Sequence, residues 1–169
     1  TEEIGKACTA TRSLLTVHTS LVGETLLRWG SEAQKQTWLP GIARGQIIAA
    51  FALSEPGTGS DAKGVQTSFV KDGDMYVISG TKKWISFGQI ADLFIIIAAS
   101  GGKSTAFLVE RNSPGFETKA IQGMMAGKAT YLAEVVLNNV RVPADNVLGK
   151  VNYGFEYIVS TALDHGRYS

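Results

Sequence analysis

The chain has almost none of the residues from which cross-links and metal centres are built: one cysteine, Cys8, and two histidines, His18 and His165, in 169 residues. A single thiol excludes an intrachain disulfide framework, and no C-x-x-C or H-x-x-x-H spacing exists for a closed metal site. A reducing compartment, either cytoplasm or mitochondrial matrix, is the simplest expectation. Charge of one sign is also missing. Against 16 Lys and Arg stand 15 Asp and Glu, a formal charge of +1 with no long run of either sign, so no electrostatic footprint for nucleic acid is present. Long apolar runs are absent too. The longest, from Leu93 to Ala99, is far shorter than the roughly 20 residues that a membrane-spanning helix needs, and no signal-peptide pattern opens the chain. A soluble protein with no membrane span and no nucleic-acid partner is expected.

What is present, 44% apolar and 18% charged residues, suits one or two domains that bury a core. Residues 1 to about 45 read as helix. Leu14, His18, Leu21, Val22, Thr25, Leu26 and Trp29 recur every three or four residues and line one face, with Gly30 placed to stop it. Ser31-Glu32-Ala33-Gln34 has the form of a capping box that starts another helix, and Pro40-Gly41 are placed to interrupt or end it. His18, within the apolar stripe, reads as a packing residue.

After Gly45 the period changes. Strands are expected at Ile47–Ser54, Gln66–Lys71, Met75–Ser86, Ala91–Ala99, Ser104–Glu110 and Ala133–Asn139, with a hairpin turn at Asp72-Gly73. Tyr76, Ile78 and Trp84 share one parity, and the continuous run at Ala91–Ala99 suits a strand covered on both faces. With no helical crossover between strands the fold class is α+β, a mainly antiparallel β domain of barrel or two-sheet type flanked by helices. Helix returns near Gly154. The expected division is 1–46 helical, 47–150 β domain, and 151–169 the start of a second helical region. The chain opens without Met and stops in mid-pattern, which reads as a segment of a longer polypeptide.

Two stretches carry chemistry. Gly57-Thr58-Gly59-Ser60-Asp61-Ala62 fits the letters of a G-x-G-x-x-A phosphate turn, but such a turn needs a helix behind it and an acid about 20 residues on, and neither is found. The same loop offers the hydroxyls of Ser54, Thr58 and Ser60, with glycines that let a ligand approach the backbone. It suits an uncharged polar heterocycle or a pantetheine-like amide chain. The alternative is a glycine-rich corner between strands. In Lys82-Lys83-Trp84-Ile85-Ser86, an indole and a hydroxyl two residues apart lie on one side of an ideal strand. Together they could cover a flat ring and bond its edge; alternatively Trp84 is a core residue and Ser86 caps the strand.

Several motifs in order resemble the acyl-CoA dehydrogenase family across nearly all of the chain. They are Ala52, Leu53, Ser54, Glu55, Gly59, Ser60, Asp61 and Gly64; Gly80-Thr81-Lys82-Lys83-Trp84-Ile85-Ser86; Pro114-Gly115-Phe116; Val140-Arg141-Val142-Pro143 with Asn146-Val147-Leu148-Gly149; and Leu163-Asp164-His165-Gly166-Arg167. Thr58 is bulkier than the small residue usual there, and Ala126-Gly127-Lys128 stands where the family usually has Gly, an aliphatic residue and Arg.

The resemblance implies FAD between the β domain and a following four-helix bundle, and removal of an α-proton coupled to hydride transfer from the β-carbon of an acyl thioester to flavin N5. It implies cofactor contacts at Phe51, Leu53, Ser54, Trp84, Ile85 and Ser86. Substrate contacts are implied at Ser60 and along Asp164, His165, Gly166 and Arg167. Glu55 and Asp61 read as turn and strand-end anchors. The carrier is CoA or acyl carrier protein, the electron acceptor an electron-transfer flavoprotein or similar, and the assembly a homodimer or homotetramer. No residue here is a catalytic base: a minority of the family place it just before the arginine of Asp-x-x-Arg, and that position is Gly166. A non-catalytic binding module of the same fold is the reading from another class.

Overall fold

A computed structural model describes residues 2–168, with side chains described as far as His165. Helices α1 (Glu2–Ala7) and α2 (Thr9–Leu15) lead through a π-helical stretch, Thr16–Gly23, into α3 (Glu24–Trp29), which Gly30 ends in extended backbone. Helix α4 (Glu32–Ala43) starts at the expected box: Gln34 N–H donates to Ser31 Oγ at 3.2 Å, and Ser31 N–H donates to Gln34 Oε1 at 3.0 Å.

Pro40 and Gly41 do not end α4, contrary to the sequence expectation. Pro40 frees only the carbonyl of Gln36, and Gln36 and Pro40 lie on the exposed face, where solvent can reach it. Gly41 serves packing instead: a Cβ there would fall 2.5 Å from Ile47 Cδ1. The helix stops at Gly45, whose φ of +67° and N–H bond to Ile42 O close the last turn.

Eight strands follow: β1 (Ala49–Ala52), β2 (Ser68–Asp72), β3 (Met75–Ile85), β4 (Leu93–Ser100), β5 (Lys103–Glu110), β6 (Phe116–Ala120), β7 (Ala133–Pro143) and β8 (Val147–Leu148). Their order is β6-β7-β3-β2-β4-β5-β8, with β1 paired to β4 outside this path. All pairings are antiparallel except β1 with β4 and β2 with β4. After β8, a π-helical turn at Gly154–Val159 leads into α5 (Ser160–Tyr168).

Both faces of β4 are buried, as its continuous apolar run implies. Phe94, Ile96 and Ala98 point into one core with Phe69, Tyr76, Ile78, Phe107, Val135, Leu137 and Val140, so the sheet curls until β2 through β7 share an interior. Leu93, Ile95 and Ile97 point the other way, against Val22 and Leu26 of the helical layer and Ile158 and Val159 of the C-terminal one. His18 joins the layers at its own position. Its Nδ1 accepts from Ala49 N–H at 3.3 Å, so Nε2 carries the proton donated to Ile42 O at 3.0 Å.

Candidate functional site

The two chemistry-bearing stretches meet at one sheet edge. Lys83 N–H donates to Ser54 O at 2.9 Å, and Lys82 Nζ reaches Leu53 O at 3.1 Å and Glu55 Oε1 at 2.7 Å. Glu55 also accepts from Gln66 N–H at 2.7 Å and Thr67 N–H at 2.9 Å. The carboxylate and ammonium are 4% and 0% exposed, a fully buried ion pair. Burial pushes the Glu55 carboxyl up, but hydrogen bonds from Lys82, Thr67 and Gln66 together outweigh it and hold it below its ordinary value. Burial also pulls the Lys82 ammonium down to about 8, against the opposing attraction of Glu55. At neutral pH both are ionised. Glu55 is thus the anchor that the sequence suggests, with a partner that sequence reading missed. The available signal was Lys82 sharing the core parity of Tyr76 and Ile78.

Trp84 does not keep that parity. Between Lys82, opposite Val135, and Ile85, opposite Ala133, β3 has one residue more than β7. This bulge puts Trp84 at φ +63° and turns its indole outward, 51% exposed, with Lys83 Nζ 5.4 Å from the ring centroid. Trp84 is therefore not a core residue, and the expectation of a shared strand face with Ser86 fails. The strand ends at Ile85, and Ser86 begins a turn in which Gly88 N–H bonds Ile85 O. That turn is held from outside: Phe87 N–H bonds Thr130 O, and Arg111 donates to Ala91 O and to Gly88 O. Arg111 carries no local sequence signal for this role, because these two carbonyls lie 20 and 23 residues upstream.

Phe51 and Leu53 are half-buried against the helical side of β4, and Ser54 is half-buried at the loop entrance. Ile85 is buried in the sheet, so its side chain does not face the exposed side of Trp84, and its carbonyl already accepts from Gly88 N–H. In the glycine-rich loop, Glu55 and Thr58 form a two-way backbone bridge, and Thr58 Oγ1 donates to Gly64 O at 3.1 Å. The Thr58 hydroxyl thus closes the loop from inside and does not face a ligand, unlike the sequence expectation. Ser60 and Asp61 are exposed at the tip. A Cβ at Gly57 or Gly59 would meet nothing within 4 Å, so the chain's own packing does not require these glycines. No helix follows the loop, in keeping with rejection of the dinucleotide turn.

Asp164 is exposed on α5, and His165 borders a depression of 260 Å³ with Thr19, Ser20 and Glu24. Gly166 continues α5, and the side chain of Arg167 lies outside the described residues. Leu163 packs in the same cluster as Phe51 and Leu53, which brings α5 to the helical side of the site.

The residues present fit a flavin: a half-exposed indole at Trp84, half-buried Ser54 and Ser86 on the two segments that meet here, and open space around Gly57 and Gly59. They also match known proteins. The chain is 37% identical to a short-chain acyl-CoA dehydrogenase of Clostridium acetobutylicum over 98% of its length, covering 45% of that relative. It is superposable on a glutaryl-CoA dehydrogenase of Mycobacterium smegmatis in complex with FADH2, with a TM-score of 0.93, 34% identity, and 98% of this chain and 42% of that one covered. A prolyl acyl carrier protein oxidase gives a TM-score of 0.88 at 33% identity, with 92% and 42% covered. The chain therefore spans less than half the length of these proteins. Residues 1–46 match the acyl-CoA dehydrogenase N-terminal domain and residues 50–140, more than half of the chain, match the middle domain; the chain belongs to the acyl-CoA dehydrogenase family.

Proposed function

We propose that the protein containing this chain is an FAD-dependent dehydrogenase of acyl thioesters. The observation that carries this reading is the 2.9 Å bond from Lys83 N–H to Ser54 O, which seats the hydroxyl-bearing loop beside the outward Trp84. FAD, when bound, supplies the hydride acceptor that the oxidation of a Cα–Cβ bond needs. Trp84 covers one face of the ring and keeps water from it. Ser54 and Ser86 donate hydrogen bonds to the ring's polar edge, with the Ile85 backbone between Trp84 and Ser86. Phe51 and Leu53 give the apolar border. Ser60 contacts the pantetheine side of the thioester, and Asp164, His165, Gly166 and Arg167 follow the carrier arm.

The catalytic base is a carboxylate outside these residues, since Gly166 offers none. The electron acceptor is an electron-transfer flavoprotein or a similar carrier, and the assembly is a homodimer or homotetramer. No helix among the described residues is long and apolar enough to cross a membrane; the compartment is cytoplasm or mitochondrial matrix.

The full-length protein is expected to be yellow and to lose its oxidised-flavin absorption anaerobically on addition of an acyl-CoA. A colourless protein without flavin affinity overturns the reading. The likeness to an acyl carrier protein oxidase motivates a second reading in which the acyl group arrives on carrier protein. Comparing flavin reduction by one acyl group on CoA and on carrier protein separates them, and a clear CoA preference rejects the second.

A further inference from the structure

The Glu55–Lys82 pair occupies an unusual place in the topology. Strand β1 pairs with β4, and β3 pairs with β2 and β7; no ladder joins β1 to β3. Yet residues 53–55, which extend β1, lie against residues 82–83. Their described polar links are three: Lys82 Nζ to Leu53 O, Lys82 Nζ to Glu55 Oε1, and Lys83 N–H to Ser54 O. Two of the three end on one ammonium group.

The same side chain stands at the start of the bulge. Lys82 is the last residue in register with β7 before the extra residue, and its side chain is wholly buried while Trp84, two positions on, is outside. Lys82 is thus the buried point from which the bulge departs, and the extra residue, with Trp84 at φ +63°, turns the indole outward. Glu55 fixes the other partner. Its carboxylate takes Lys82 and the N–H groups of Gln66 and Thr67, and its backbone closes on Thr58. The entrance at Ser54 and the return of the loop at residues 66–67 are thus pinned to one point.

Burial of an ion pair is a poor way to stabilise a core, because a hydrophobic pair of similar volume is often as stable or more so. Stability alone gives no reason for two charges here. We propose that Glu55 and Lys82 are positioning residues that hold the Ser54 edge and the Trp84 cover at the spacing a bound flavin requires. This inference rests on the proposed flavin site. It assigns the pair no contact with the cofactor; the pair acts through the two segments that it joins.

The test uses the full-length protein and the double variant Glu55→Gln/Lys82→Met, which removes both charges without leaving one buried alone. It is expected to keep the wild-type far-ultraviolet circular dichroism and thermal midpoint when free of flavin, while the FAD dissociation constant rises about tenfold. Trp84→Leu in the wild-type background should also weaken FAD and relieve quenching of flavin fluorescence. Added to the double variant, it should do neither, because the indole is already displaced. A purely structural pair predicts the opposite: native FAD affinity in the double variant, or independent, multiplicative effects of the pair and Trp84. Either result overturns the proposal. Should the double variant not fold, Glu55→Asp decides. It keeps the charge but shortens the reach, and native FAD affinity with native quenching in that variant overturns the proposal equally. Failure of the wild-type protein to bind FAD at all is a different outcome, which overturns the flavin reading itself.

Discussion

Glu55 gives the site its acid sensitivity. Its folded carboxyl lies below the ordinary value of 4.5, so as pH falls the unfolded chain takes up this proton first. The unfolded state then binds more protons, and stability falls with pH. The contribution is complete above about pH 4.5 and is lost as pH passes through the lowered folded value. Lys82 contributes a cost, with the same sign of pH dependence at higher pH. Its folded value of about 8 lies below the free value of 10.5, so its burial costs stability below pH 8, and the cost is relieved as pH rises toward 10.5. Thermal midpoints measured from about pH 6 to about pH 3 should therefore fall more steeply for the wild-type protein than for Glu55→Gln. The variant should start lower, with Lys82 left unpaired, and the two curves should converge in acid. Parallel curves would remove Glu55 as a source of the slope.

Helix α4 shows what local sequence can and cannot disclose. Ser31-Glu32-Ala33-Gln34 was legible because both halves of a capping box lie within four residues, and both hydrogen bonds form. Gln34 has a further role with no local signal: its Nε2 donates to Asp145 O at 2.6 Å and Val147 O at 2.9 Å, more than 100 residues away. Ser31→Ala should cost about 1 kcal/mol, the usual worth of an N-cap side chain. Gln34→Ala should cost more, because two carbonyls near β8 also lose their donor. Urea unfolding of the two single variants and their double would check this, the double falling short of the sum because both residues serve one box. An equal cost for the two single changes would show that the link to residues 145–147 adds nothing. The bulge in β3 was hidden for the reason that hid the second role of Gln34. Alternation from Tyr76 through Ile78 extrapolates to an inward Trp84, and the extra residue is defined only against β7, some 50 residues later.

Across the molecule, the central strand was the most legible element and the joints between layers the least. An unbroken apolar run announces burial on both faces of β4, but it names no element that covers them. Helix α3 and the π-helical stretch cover the outer face together with Gly154–Val159, and side chains besides Gln34 cross between layers: Trp29 Nε1 donates to Thr161 Oγ1 at 2.9 Å, and His18 bridges Ile42 O and Ala49 N–H. The stripe that contains His18 implied a packing role, and the imidazole does pack, but it also donates to Ile42 O and accepts from Ala49 N–H where α4 passes into β1. His18→Phe retains the bulk of the ring and leaves the Ala49 N–H without its partner, at about 1–3 kcal/mol if it stays dry, while Ile42 O keeps its bond from Gly45 N–H. Because Ala49 opens β1, which leads directly to Phe51, Leu53 and Ser54, the damage should be directional. Native-state hydrogen exchange of the variant should speed markedly at the amides of Ala49–Ala52 and much less at the β5 amides, which pair with β4 from its other edge. Uniform acceleration in β1 and β5 would instead mean that His18 supports the fold globally and has no particular hold on the strand that leads into the site.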